Sequence, residues 1–129
     1  MDERPGGPAA ACQEVTAVPR PRFQLVPGTR PGGGVGWRLL GSNNRELGRS
    51  ACAYADAEAA LTAVEGIRGL VADGEVHIVH DGGSGRWAWH LREGGVPVAC
   101  SGRGFRLQRE CRRNMEQFRR EAPTAPVSG

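Results

Sequence analysis

Apolar and polar residues alternate along several short stretches of the chain, a two-residue period that is typical of strands with one buried face. In VGWRLLG the residues Val35, Trp37 and Leu39 fall on one side. FQLV and ELGRS are predicted as two further strands, and the turn-rich sequences PGTRPGGG and SNNRE separate the three. The first part of the chain is therefore predicted to form three consecutive short strands.

A helical period follows in DAEAALTAVEGIR. Asp56 is suited to cap the start of this helix, and Glu58 favours its first turn because it lies near the positive end of the helix dipole. The apolar residues recur at spacings of three and four, which gives the helix one side to bury: Ala57, Ala60, Leu61, Val64 and Ile67.

The same order of elements begins again after GLVADGE. VHIVH, RWAWHLR and PVACS are predicted as strands, and FRLQRECRRNMEQFR is predicted to contain a second helix. Trp37 and Trp89 are 52 positions apart, whereas Tyr54 and Phe105 are 51 positions apart, so a single one-residue deletion aligns the two halves. The chain is therefore interpreted as two copies of one unit.

This interpretation predicts an α+β fold in which two tandem ββ(β)α repeats form a pseudo-symmetric antiparallel sheet with two helices on one face. The predicted organisation is a flexible tail at 1–21, repeat one at 22–70, repeat two at 71–121 and a flexible tail at 122–129. The predicted core consists of Phe23, Trp37, Leu39, Tyr54, Val64, Ile67, Trp89, Leu91, Phe105, Cys111, Met115 and Phe118.

The first half also carries a recognisable motif, F-x-L, a glycine-containing turn, W-R-L, N-x-x-x-L-x-x-S and an aromatic residue before a helix ending in V-x-x-I. It resembles the YegP-like family of short bacterial tandem repeats, whose function is unknown. The resemblance implies a tandem antiparallel-sheet unit with helices on one face, and it implies no known activity. The motif residues are Phe23, Trp37, Arg38, Leu39, Asn43, Leu47, Ser50, Tyr54, Val64 and Ile67.

The positive charge is concentrated near the end of the chain. All 17 basic residues are arginine, and the formal net charge is +3. Residues 101–121 contain seven arginines and three glutamates, so this segment carries the basic excess. Within it, Leu107, Cys111, Met115 and Phe118 form a predicted core-facing stripe, and the opposite side of the helix carries Arg109, Arg112, Arg113, Arg119 and Arg120.

Two interpretations of this arginine face remain open. Arginine binds phosphates through bidentate contacts, and a basic helix face releases counterions when it binds nucleic acid or another polyanion. Alternatively the face is an ordinary solvated surface, because Glu110, Glu116 and Glu121 lie among or beside the arginines. The solvated surface is the favoured interpretation.

Other candidate chemistry is weaker. His77, His80, His90 and Cys100 are the candidate metal ligands, but His77 and His80 are predicted to point to opposite faces of a strand, so no metal site is predicted. The glycine-rich stretches precede strands and not helices, which favours hairpin turns over phosphate loops.

Nucleophilic and ligand-binding roles are not predicted either. Cys52 and Cys100 lie near strand ends, but no Cys–His pair can be established from spacing alone. The tryptophans Trp37, Trp87 and Trp89 are expected to pack beneath the helices, although a ligand groove is the alternative.

The sequence therefore predicts a small non-enzymatic module without cofactor that acts through protein interaction or self-association, with an unknown protein partner or as a homodimer. Nucleic-acid or other polyanion binding through the arginine face is the alternative. A cytoplasmic location is expected, because the chain has no signal-like apolar run and no stretch near the roughly 18 apolar residues of a membrane span. Its four cysteines are expected to be reduced thiols.

Overall fold

The computed structural model describes residues 20–28 and 32–128. The predicted tail at 1–21 lies outside these residues except for its last two positions, Arg20 and Pro21. The elements along the chain are β1 (Arg22–Pro27), β2 (Val35–Leu40), β3 (Glu46–Ser50), α1 (Ala57–Leu70), β4 (Glu75–Asp81), β5 (Arg86–Glu93), β6 (Val96–Cys100), α2 (Gln108–Glu121) and β7 (Val127–Ser128).

All seven strands belong to one sheet in the order β4-β5-β6-β3-β2-β1-β7. The first six strands pair antiparallel, and β3 and β6 meet at the centre through the pairs Arg49–Cys100 and Ser50–Ala99. Strand β7 pairs with β1 in parallel, with Phe23 opposite Val127. The α+β class is confirmed, but the prediction of a purely antiparallel sheet is wrong and the sheet is mixed.

The last residues of the chain are part of the packed structure. The sequence assigns 122–129 to a flexible tail, whereas the structure buries Ala122 and Ala125 and pairs residues 127–128 with β1. The Phe23 N–H donates to the Pro126 carbonyl at 2.8 Å, so this segment satisfies a backbone donor at the edge of β1. A Pro-containing, weakly periodic segment gives little sequence signal for a two-residue strand, which explains the error.

The two helices pack on one face of the sheet. Helix α1 contacts β1 and β2, and α2 contacts β3 and β5. Between the helices and the sheet lies a single core in which Phe118 contacts both Trp37 and Trp89, with ring centroids 6.2 and 4.9 Å apart. Eleven of the twelve predicted core residues are buried, and Tyr54 is half-buried against the same core.

Helix starts differ between the two halves. In α1 the Asp56 carboxylate accepts from the Ala59 N–H at 2.8 Å and so caps the first turn. In α2 the cap position is Leu107, whose backbone is extended and whose side chain makes no capping hydrogen bond. Leu107 is 44% exposed, so its predicted place in the core-facing stripe is wrong: it precedes the helix and does not share its periodicity. Asn114 completes the buried side of α2 instead.

Candidate anion-binding groove

The five predicted arginines of α2 do not form one surface. Arg109, Arg112, Arg113 and Arg120 are exposed, whereas Arg119 is half-buried and donates from Nη2 to the Gly74 carbonyl at 2.8 Å. Arg119 therefore anchors α2 to the start of β4. The remaining positions diverge around the helix: Arg112 lies with Arg119 beside Val76 and Ile78, Arg113 faces the other side, and Arg120 lies 4.0 Å from the Glu121 carboxylate.

Arg113 lines a groove that brings together arginines from distant parts of the chain. The groove lies between the β2–β3 turn, the segment from β6 to α2, and one side of α2, and it encloses about 450 Å³. We call it the arginine groove and define it by its five arginines, Arg45, Arg86, Arg103, Arg106 and Arg113.

The guanidinium groups of the arginine groove are not paired with carboxylates of the part of the chain that the structure describes. Within residues 20–28 and 32–128, none of the five forms an ion pair with a carboxylate. The groove also contains Glu46 and Glu110, but the Glu46 carboxylate accepts from Arg49 at 2.7 and 2.9 Å, outside the set of five. The local charge is therefore positive and held close to the folded surface.

Two asparagines add oriented donors to the groove. The Asn114 Oδ1 accepts from the Trp89 indole N–H at 2.6 Å, and the Asn43 Oδ1 accepts from the Arg45 backbone N–H at 3.0 Å. The oxygen and nitrogen of each amide are assigned from these bonds, which leave the NH₂ groups free to donate. Asn114 is 9% exposed and lies at the floor of the groove.

The segment that enters α2 requires glycine in order to form the groove wall. Gly102 has a φ of 77°, and a Cβ at this position would collide with the Glu46 carboxylate. At Gly104 a Cβ would lie 2.7 Å from the Cβ of Arg86. These two glycines let the segment pass close to β3 and β5, and that close passage places Arg103 and Arg106 beside Arg86.

The candidate metal ligands do not converge. His77, His90 and Cys100 are successive cross-strand neighbours on β4, β5 and β6, so they form a row along the sheet and not a cluster. His80 instead stacks against Trp87 with ring centroids 4.4 Å apart. Among residues 20–28 and 32–128, no group of three or more His, Cys, Asp or Glu side chains is placed to hold a metal ion.

The cysteines and tryptophans are mainly structural. Burial raises the pKa of the Cys100 thiol and that of the Cys111 thiol, which favours the protonated form over a nucleophilic thiolate. Trp37 and Trp89 are fully buried beneath the helices, while Trp87 is half-buried. Within the described part of the chain, no helix is both long and apolar enough to cross a membrane.

The architecture of this chain is similar to that of solved structures. No protein-family model matches the chain, and no curated protein matches it. Among solved structures, the protein of unknown function YegP from E. coli superimposes with a TM-score of 0.69 at 11% sequence identity, covering 87% of this chain and 94% of YegP. The chain has the YegP fold. The predicted resemblance to the YegP-like family is thus confirmed at the level of the fold.

A second solved structure agrees with the first. A UPF0339 protein from Shewanella oneidensis superimposes with a TM-score of 0.67 at 10% identity, and the match covers 83% of this chain and 89% of that protein. At these identities the comparison with YegP and the UPF0339 protein establishes a shared architecture and leaves the activity to the residues of the site.

Sequence reasoning found only part of the groove. Arg113 belongs to the predicted face, but Arg45 and Arg86 lie in or beside turns far away along the chain, and no periodicity links them to α2. Asn114 gives a weak signal, since it is a polar residue at a buried helical phase between Cys111 and Met115. A polar residue within an apolar stripe indicates a buried hydrogen bond at this position, because buried polar groups are nearly always hydrogen-bonded.

Proposed function

We propose that this protein is a non-enzymatic module that binds nucleic acid through phosphate contacts. The observation that carries the proposal is the convergence of five arginines on one groove without a carboxylate partner among the described residues. Arg109, Arg112 and Arg120, exposed on α2, extend this positive surface beyond the groove.

The chemistry of the groove favours phosphate over neutral ligands. A guanidinium presents a rigid fork of N–H donors that matches two phosphate oxygens, and it keeps its charge at every physiological pH. Binding also releases counterions condensed on the nucleic acid, which supplies affinity independent of sequence. The free NH₂ groups of Asn43 and Asn114 add neutral donors to the same site.

A salt titration tests the proposal. Binding to random-sequence single-stranded DNA and RNA should weaken with a slope of log K against log salt near 0.7 for each phosphate neutralised. The triple variant Arg45→Gln, Arg86→Gln and Arg113→Gln should reduce both affinity and slope.

The matched control removes three charges outside the groove by changing Arg20, Arg38 and Arg92 to Gln. This control should retain most of the affinity, because none of these three arginines lines the groove. Equal losses in the two triple variants, or the absence of binding at low salt, would contradict the proposal.

Self-association is a second candidate function, favoured by the edge strand β4. This strand is seven residues long and ends the sheet, so one side of its backbone has no strand partner among residues 20–28 and 32–128. Val79 on β4 is 38% exposed, and an open edge of this length invites addition of a strand from a second copy or another protein.

Sedimentation over a range of concentrations tests this candidate. A reversible dimer is expected, and Val79→Lys should shift it to monomer because the added charge blocks a flat edge. A strict monomer at high concentration would count against it.

We also propose that the two halves of the chain are tandem copies of one unit. The bridges Val35–Tyr54 and Trp87–Phe105 support this proposal, because each pairs a strand with the segment that precedes a helix. We further propose a cytoplasmic location, which is supported by the free thiols of Cys52, Cys100 and Cys111.

A further inference from the structure

The arginine groove carries a narrower inference, which rests on the proposed function. We propose that it binds the terminal phosphate of a nucleic-acid strand, a phosphomonoester, in preference to the phosphodiesters within the strand.

The bottom of the groove is formed by residues that are held in place by the core. Leu47, Phe105 and Asn114 line it and are 3%, 7% and 9% exposed, so an entering group mainly meets the arginines that line the groove with them. Several guanidinium groups around one opening suit an anion that they can approach from more than one side. A terminal phosphate has a sugar on one side only and can enter, whereas an internal phosphodiester is flanked by a sugar on each side.

The charge of the groove suits a dianion. Near neutral pH a phosphomonoester carries between one and a half and about two negative charges, while a phosphodiester carries one. Among the described residues that line the groove, the carboxylates are Glu46 and Glu110, and Glu46 is already bonded to Arg49. A terminal phosphate therefore offers its additional negative charge to guanidinium groups that would stay without an anionic partner if an internal phosphate were bound.

The groove offers donors but no surface for a base. The amide oxygens of Asn43 and Asn114 are occupied, so these side chains present N–H groups, as the arginines do. Within the described part of the chain, the aromatic residue of the lining is Phe105, and the Arg103 guanidinium covers its ring at 4.6 Å from the centroid. A ligand rich in acceptors fits this lining, and a stacked base does not.

The test compares two oligonucleotides of one sequence, one with a 5′-phosphate and one with a 5′-hydroxyl. Fluorescence anisotropy at fixed salt should give at least about tenfold tighter binding of the phosphorylated strand. A third strand with a 3′-phosphate shows which end is accepted. Inorganic phosphate and a free mononucleotide serve as competitors.

Variants separate the groove from the rest of the arginine surface. Arg86→Gln with Arg103→Gln should remove the preference for the phosphorylated end and leave salt-dependent binding of the hydroxyl strand. The control Arg109→Gln with Arg120→Gln removes the same charge outside the groove, so both strands should weaken together and the preference should remain.

Asn114→Asp provides an independent variant. It keeps an acceptor for the Trp89 indole but replaces the donor at the floor with a carboxylate oxygen, so the preference should fall or reverse. The unfolding transition of each variant confirms that it is folded.

The outcomes distinguish the two proposals. Equal affinity of the wild-type protein for phosphorylated and unphosphorylated strands overturns the terminal-phosphate site and leaves nucleic-acid binding in place. Inorganic phosphate that competes at the concentration of the phosphorylated strand overturns the strand as ligand and assigns the groove to a small phosphate. The absence of binding to any strand overturns both.

Discussion

Asn114 links the core to the surface through one side chain. Its carbonyl oxygen satisfies the buried Trp89 indole, and its NH₂ group belongs to the groove. With the offset of 51 positions proposed for the repeats, the corresponding residue of α1 is Ala63, which has no amide to accept from the Trp37 indole. Both tryptophans are therefore buried, but Trp89 donates its indole N–H to an amide that also lines the groove, whereas α1 has alanine at that position.

Gly48 is a residue whose small size is required by packing. A Cβ at this position would lie 2.9 Å from the Trp89 ring and 3.1 Å from the Cys100 carbonyl, so Gly48→Ala should destabilise the protein by about 1–3 kcal/mol. The matched control is Gly66→Ala in α1, where the added methyl meets no atom within 4 Å. This control should stabilise by about 0.5–1 kcal/mol, because alanine favours the helix. Urea unfolding measures both, and changes of the same sign would contradict the prediction.

At the scale of elements, α2 shows where the sequence pattern was informative. The spacing of Cys111, Met115 and Phe118 predicts the buried side of the helix because these residues repeat with the helical period. Leu107 has the spacing of this stripe in the sequence, but it lies before the first turn, where the backbone is extended and does not follow the helical period. Periodicity does not mark where a helix begins. The distribution of the arginines could not be predicted, since Arg112 and Arg113 are adjacent in sequence yet face different surroundings in the fold.

Strand β7 shows a limit of a different kind. Two residues provide no period, and their partner Phe23 lies about a hundred positions earlier, so only the tertiary structure brings them together. The same limit applies to the groove, which is assembled from a hairpin turn, a helix-entry segment and a helix.

Removal of residues 124–129 tests the role of β7. The truncation deletes the Pro126 carbonyl that accepts from Phe23 and the Ala125 carbonyl that accepts from Arg68, and it exposes part of the core. We expect a loss of about 1–3 kcal/mol in the free energy of unfolding. Hydrogen exchange should show faster exchange at the Phe23 amide, while the Val35 amide, bonded to the Tyr54 carbonyl, serves as the internal control. Unchanged protection at Phe23 would show that β7 does not close this edge in solution.

At the scale of the whole molecule, the sequence predicts the order of the strands and helices, but it predicts only part of how they are arranged in space. The alternation of strand and helix periods predicts three strands, a helix, three strands and a helix, and the structure has this order before β7 is added. The pairing of β3 with β6 at the centre of the sheet joins the two halves into one core, so the protein should unfold as one cooperative unit.

The stability of the whole molecule should depend on pH through its buried thiols. Burial raises the pKa of Cys100 and of Cys111 above the ordinary value of 9.0, and burial likewise raises the pKa of Tyr54. A raised pKa in the folded state means that the unfolded chain loses its proton first, so this contribution is complete below pH 9 and is lost as the pH rises through the folded pKa values.

This contribution should therefore make the free energy of unfolding under reducing conditions fall as the pH rises above about 9. The double variant Cys100→Ala with Cys111→Ala should show a shallower decline than the wild-type protein, because it removes both thiols whose pKa values are raised by burial. A decline of equal steepness in the double variant would assign the pH dependence to other groups.

The hydrogen bond between Trp89 and Asn114 has an optical consequence. The Trp89 indole N–H is polarised by Asn114, which lines the groove, so an anion that bonds to the other end of the same amide alters the electronic environment of the ring. The fluorescence of Trp89 should therefore change when the groove is occupied. Its emission should report a titration without any attached dye, above a constant background from Trp37 and Trp87.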